Sequence, residues 1–395
     1  MGQAIDDRTW KISPSPTVAL ADIASGLRRQ GIDVVDFSAG RAAEATPTVV
    51  RQAAIRALEA GDTHQTEARG RPSYLQACAE KLKREQQLSI DPEKNVVATL
   101  GCKQGLLLSL LAILEPGDEI ILEDPGFVSY QPEVRIAGGI PVPVPLRREN
   151  GFRWDPVELQ AAIGPRTRAM LICSPHNPTG IVHTRKDLQA IAHLATKNDL
   201  TIISDEIYEA VVWGGKRHLP IASLPDMQDR TIGLMGLTKT YSMGGWRIGY
   251  AYSSEQIVNR MVILQQHLIT CASSFAQQGA STALSEHVTK EMKALWQDWE
   301  ERCRFVTSRL DKLPGLRATM PEGGFYAWVD ISGTGLTSAE FAHRLLDERH
   351  VATVPGSGFG QTCDDYVRVT CVRGWEELRL GLERIEAFVR SLTTV

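Results

Sequence analysis

Between residues 96 and 237 short apolar runs alternate with helical patterns, and this alternation leaves the chain few architectures to adopt. Residues 96–100 read as a short buried strand, and residues 101–114 as a helix opened by a glycine. Residues 119–123 (EIILE) and 169–173 (AMLIC) read as further strands, and residues 187–198 as a helix. Residues 200–204 (LTIIS) form a strand that ends on acids, and residues 231–237 form the last of the series. Strands separated by helices in this way pack into a mostly parallel sheet covered on its faces, an α/β fold. In such sheets ligands sit beyond the carboxyl ends of the strands. Residues just after those ends are therefore the first candidates for chemistry.

The pattern changes near residue 286. A long charged helical stretch (286–313) stops at Pro314-Gly315, followed by a strand (325–331), a helix (338–349), a strand (366–372) and a closing helix (376–392). This predicts a second, smaller α+β unit. There is no internal repeat or low-complexity tract.

Charge and cysteine usage exclude several classes. The net charge of −4 mixes both signs, so there is no electrostatic footprint for nucleic acid or an anionic membrane. The longest apolar runs, such as 105–114, are too short to span a bilayer. Residues 1–15 carry acids and lack an apolar core, which predicts no secretory signal, and Asp6 disqualifies the Met-Gly start as an acylation site. Seven dispersed cysteines without a CxxC pair or a Cys/His cluster predict free thiols in a reducing cytoplasm, with no metal site.

The segment after the last strand carries the sharpest chemistry. Thr238-Lys239-Thr240-Tyr241-Ser242-Met243-Gly244-Gly245-Trp246-Arg247 places a lysine among small and hydroxyl residues, with an arginine eight positions on. Desolvation and nearby cations disfavour an ammonium, and a neutral amine condenses with carbonyl groups. An arginine fork suits a phosphate. Gly101-Cys102-Lys103 opens a helix directly after a strand, where free backbone N–H groups and the helix dipole favour phosphate. Asp205 follows the 200–204 strand. Ser174-Pro175-His176-Asn177-Pro178-Thr179-Gly180 is a rigid turn after another strand, able to present the Asn177 amide. Arg368 lies between valines in a strand, and a buried arginine needs an anionic partner.

Together these residues resemble the class I/II aminotransferase family, the fold type I enzymes dependent on pyridoxal 5′-phosphate (PLP). The resemblance runs from about Asp33 to the C-terminus and is nearest the aspartate aminotransferase-like and amino acid:pyruvate transaminase subgroup. It implies a large PLP-binding domain (46–285), a small C-terminal domain (286–395), and an N-terminal segment (1–45) folding back onto the small domain. It implies a homodimer with shared active sites. Lys239 would carry the cofactor as a Schiff base and move protons, with Asp205 on the pyridine nitrogen and Tyr208 on the ring oxygen. Phe127 would stack on the ring, and Asn177 would meet both ring oxygen and substrate. Gly101, Cys102, Lys103, Thr238 and Arg247 would hold the phosphate. Arg368, Asn177 and Gly40 would hold the substrate carboxylate. The implied activity is ping-pong amino transfer between an L-amino acid and a 2-oxo acid, a step in amino-acid metabolism and biosynthesis.

Three positions depart from the family pattern. Gln65 stands where relatives place a tyrosine that reaches the partner's phosphate, Gly236 where they place a phosphate-binding serine, and Arg41 where they place an acid. Arg41 would either suit a substrate with a distal anionic group or simply be solvated. The first two departures keep open a PLP enzyme that eliminates, cyclises or oxidises instead of transaminating. A PLP-binding regulator is a third reading, for which the stretch before Asp33 offers no DNA-binding domain.

Overall fold

The computed structural model describes residues 12–392. Most of residues 1–15, expected to carry no secretory signal, therefore lies outside the described residues.

After β1 (Val35–Asp36), eight strands form one sheet: β2 (Val96–Thr99), β3 (Glu119–Asp124), β4 (Ile140–Arg147), β5 (Arg153–Trp154), β6 (Thr167–Cys173), β7 (Thr201–Asp205), β8 (Thr231–Gly236) and β9 (Gly249–Tyr252). Their order is β2-β9-β8-β7-β6-β3-β4-β5. The central pairs are parallel, while β9 runs antiparallel to both β2 and β8, and β5 antiparallel to β4. Because side chains alternate across a strand, β6 sends Ala169, Leu171 and Cys173 to one face and Met170 and Ile172 to the other. The helix Cys102–Ile113 covers the first face through Leu106, Leu108 and Leu110. The helix Arg185–Lys197 covers the second through Leu188, Ile191 and Leu194, and a Thr184/Asp187 capping box fixes its start. Burial on both faces is why these strands read as continuous apolar runs.

The C-terminal third builds an antiparallel sheet, in the order β10-β11-β14-β13, from β10 (Arg317–Ala318), β11 (Tyr326–Asp330), β13 (Val354–Pro355) and β14 (Tyr366–Thr370). The remaining strand, β12 (Val351–Ala352), pairs in parallel with β1, Val35 opposite Val351. The helix Pro16–Arg29 also packs against β12 and β13. On β11 and β14, Tyr326 lies opposite Thr370 and Arg368 opposite Trp328, so Tyr326 and Arg368 share a face.

Among the described residues no helix is long and apolar enough to cross a membrane. All seven cysteines are free thiols, six of them buried.

Candidate active site

A cavity of about 360 Å³ opens where the carboxyl ends of β6, β7 and β8 meet the C-terminal sheet. All twelve residues singled out from the sequence line it: Gly40, Gly101, Cys102, Lys103, Phe127, Asn177, Asp205, Tyr208, Thr238, Lys239, Arg247 and Arg368. Lys239 sits on the one-turn helix Leu237–Thr240 directly after β8, and its amine donates to the Gly40 carbonyl. Asp205 ends β7 and is 7 % exposed. It accepts from the Tyr130 hydroxyl at 2.8 Å and from the Ile207 N–H at 3.3 Å. Burial pushes its carboxyl up to about 6 despite those two bonds. Glu206 points the other way, into a separate buried network with Ser204, Gln86, His218 and Tyr252.

Arg368 is 2 % exposed and forms no ion pair among the described residues. It donates to Asn177 Oδ1 at 3.0 Å and to the Ser38 carbonyl at 2.9 Å, and its Nε has no partner. Its guanidinium lies 4.1 Å from the Tyr326 ring centroid and 4.9 Å from that of Phe359. Nearby Arg373 is half-buried and bonded twice to Glu377. His176 is held within its own turn by Thr179 Oγ1 at 2.7 Å.

The phosphate-suited end is assembled by backbone geometry. Gly101 adopts φ +91°, a conformation that suits glycine, and leads into the helix without a side-chain cap. Its first-turn N–H groups are therefore open to an anion. Arg247 Nη2 stands beside Gly101 and donates to the Leu100 carbonyl at 2.9 Å. The Lys103 amine lies 5.6 Å from the Phe127 ring centroid. Gly236 has a steric reason: a Cβ there would fall 2.9 Å from Cys102 Sγ and 3.1 Å from Ile207 Cδ1. A serine there would crowd the Cys102 thiol and the Ile207 side chain. Gln65 and Arg41 are exposed and do not line the cavity.

Sequence reasoning missed Thr17, Tyr130, Glu133 and Tyr326, which also line the cavity. None sits in a motif. Tyr130 alone left a trace, three residues beyond Phe127, where an edge-on ring contact at 5.5 Å ties the two. Glu133 follows Tyr130 by one helical turn and is 6 % exposed, and neither of its carboxyl oxygens has a partner. Burial pushes it up to about 8; Lys103 opposes the rise and Asp205 adds to it. An acid raised on folding stabilises at low pH and loses that contribution as pH climbs to its folded value. Cofactor-free Glu133→Gln protein is therefore expected to match the wild type near pH 4.5 and to be more stable at pH 8.5, on the order of 2–4 kcal/mol. Urea unfolding at several pH values measures this, and a gap independent of pH would refute the assignment.

The cavity suits pyridoxal phosphate. Asp205 is a buried carboxyl with no cation paired to it among the described residues, and a protonated ring nitrogen would supply one. The uncapped helix start beside Arg247 fits the phosphate. A lysine amine between a buried acid and a buried, unpaired guanidinium is the layout of an enzyme that joins a carbonyl to an amino acid.

Comparison with known proteins agrees. The profile of the aminotransferase class I and II family matches residues 32–385, and the chain belongs to that family. It is 39 % identical over 389 residues to the aspartate aminotransferase of Pyrococcus abyssi, covering 98 % of this chain and 99 % of that one. It is 37 % identical to aromatic-amino-acid aminotransferase 2 of Thermococcus litoralis, again over 98 % and 99 % of the two chains. Its structure superposes on aspartate aminotransferase from Thermus thermophilus with maleate at a TM-score of 0.93 and 36 % identity, covering 98 % and 100 %. The fold is thus that of the fold type I aminotransferases, and the protein is an aminotransferase acting on amino acids and 2-oxo acids. The relatives favour amino transfer over the eliminating, cyclising and oxidising chemistries.

Proposed function

We propose that this aminotransferase works with pyridoxal 5′-phosphate in the cavity between the two sheets, as a cytoplasmic homodimer. The observation that carries the reading is Arg368, a buried guanidinium without a carboxylate, facing the same cavity as the Lys239 amine. The cofactor supplies a carbonyl that takes up the amino group and a ring that withdraws electrons once its nitrogen is protonated. Asp205 holds that nitrogen's proton, and the Tyr130 hydroxyl keeps Asp205 in place. Phe127 would pack against the ring face. Tyr208 and Asn177 would donate to the ring oxygen. The N–H groups at the start of the helix Cys102–Ile113, together with Lys103, Thr238 and Arg247, bind the phosphate. Arg368 grips the substrate carboxylate in two-point fashion, with Asn177 and the Gly40 backbone beside it. Lys239, once displaced, would take the proton from the substrate α-carbon and deliver it across the nitrogen to the carbon that was the cofactor's carbonyl. Residues 46–285 and 286–395 act as the large and small domains, with residues 1–45 riding on the small one. The free thiols suit a reducing compartment.

Acidic and aromatic L-amino acids are the proposed donors, since the relatives carry those names. The test is a spectral titration of PLP-loaded protein with an amino-acid panel under air. Loss of the visible band to a near-ultraviolet one, reversed by a 2-oxo acid, is expected with aspartate, tyrosine or both. Oxygen uptake or ammonia release without that conversion would overturn the reading.

A further inference from the structure

Lys239, Gly40 and Tyr326 meet at one point of the cavity, although Tyr326 arrives from the C-terminal sheet. A Cβ placed on Gly40 would collide with the Tyr326 hydroxyl and fall 3.2 Å from the Lys239 amine. That amine donates to the Gly40 carbonyl, and the Tyr326 hydroxyl lies beside the same point. Apart from its bond to Cε, a lysine nitrogen has three directions; the carbonyl takes one, and the neighbouring phenol oxygen is placed to take a second. The Tyr326 hydroxyl also lies 3.0 Å from that of Tyr208, and the Arg368 guanidinium sits on the Tyr326 ring face. The phenol thus has its ring against the carboxylate-gripping residue and its oxygen on the proton-moving one.

We infer that Tyr326 is a positioning residue for Lys239: its oxygen and the Gly40 carbonyl hold two N–H directions and leave the third aimed into the cavity. The inference rests on the reading of Lys239 as the proton-moving amine. When Lys239 takes up a proton, the phenol oxygen accepts one N–H of the resulting ammonium, and no bond to Tyr326 forms or breaks. The titratable and charged groups facing the amine are Tyr326 and Arg368 from the C-terminal sheet, Asp205 and Tyr208 from the end of β7, and Cys102 from the neighbouring helix. Burial raises the phenol, yet the Lys239 and Arg368 cations outweigh it and leave Tyr326 below the usual tyrosine range. That direction is what an oxygen holding an ammonium produces.

The test uses Tyr326→Phe, which removes the hydroxyl and keeps the ring under Arg368. In cofactor-free protein, Lys239 is labelled with acetic anhydride across pH and quantified by peptide mass spectrometry. The labelling midpoint is expected to fall by about half a pH unit or more, because an acceptor for the ammonium has been removed. In PLP-loaded protein, kcat is expected to fall roughly 10–100-fold while KM for the amino donor stays within about threefold. Tyr326→His, which retains an acceptor on a shorter side chain, should recover part of the midpoint shift and serves if the phenylalanine variant does not fold. An unchanged midpoint with kcat within about twofold of the wild type overturns the inference. If the wild type itself gives no visible band with PLP, the cofactor reading has failed instead, while the labelling midpoint still reports on Tyr326.

Discussion

Replacing Lys239 by alanine is expected to cut turnover by about 10⁴-fold or more, because one side chain serves as both covalent anchor and proton carrier. The two roles can be separated. Borohydride reduction of the loaded wild type should fix one cofactor per chain, recoverable on a peptide that contains Lys239. The alanine protein should bind PLP through the phosphate and ring contacts and lose it again on dialysis after reduction. Small primary amines added to the alanine protein should restore part of the proton transfer, since the vacated side chain leaves room beside Gly40. The fold should be little affected, because Lys239 is only partly buried and forms no ion pair among the described residues. A Lys239→Ala protein with wild-type turnover would sink the mechanism.

Arg368→Leu should separate activity from stability in the opposite sense. Loss of a two-point, charge-assisted grip is expected to lower kcat/KM by about 10³-fold for donor and acceptor alike, since both present a carboxylate at the same place. Arg368→Lys should lose about 10–100-fold, because an ammonium reproduces the charge without the planar fork. The cofactor-free leucine protein should nonetheless melt no lower than the wild type. The native site buries a guanidinium with no carboxylate to neutralise it, and replacing a buried charge by a packed aliphatic chain is often neutral or stabilising. Steady-state kinetics and thermal unfolding on the same preparations decide the matter. Unchanged kcat/KM, or a large fall in Tm with normal kinetics, would mean that Arg368 is a structural residue.

The central strands were legible because they are buried on both faces, which turns each into a short unbroken apolar run. Strand ends of that sheet then gave the positions of Gly101, Phe127, Asn177, Asp205 and Lys239, though not of Gly40 or Arg368. Besides several two-residue strands, two longer strands were not read. β9 (GYAY) follows the glycine-rich turn after Lys239 and looks like its continuation, although it fills the sheet between β2 and β8. β4 (IPVPVPLR) carries Pro141, Pro143 and Pro145, which argue against a central strand. It is tolerated because β5 pairs only with Leu146 and Arg147, so the alternate prolines face an edge that needs no donors. At the site, residues carried by motifs were found and residues carried by tertiary packing were not. Tyr326 reaches Lys239 only because β11 sits next to β14 in a separate sheet. Glu133 shares its helix face with Tyr130, but nothing in the sequence shows that this face closes the cavity. Gly236 was read as a missing phosphate ligand, and it becomes intelligible only beside Cys102.

The parallel pairing of β1 with β12 also dictates the order in which the enzyme can come into being on the ribosome. Val35 and Asp36 have no ladder partner until Val351 and Ala352 have been synthesised. At bacterial-like elongation speeds of about 5–20 residues per second, that wait is on the order of 15–60 seconds. Throughout it, Gly40 and the helix Pro16–Arg29 lack the surface they dock on, although all eight strands of the large sheet have been made by Tyr252. The nascent chain thus holds the lysine and its supporting strands well before the C-terminal sheet that will face them exists.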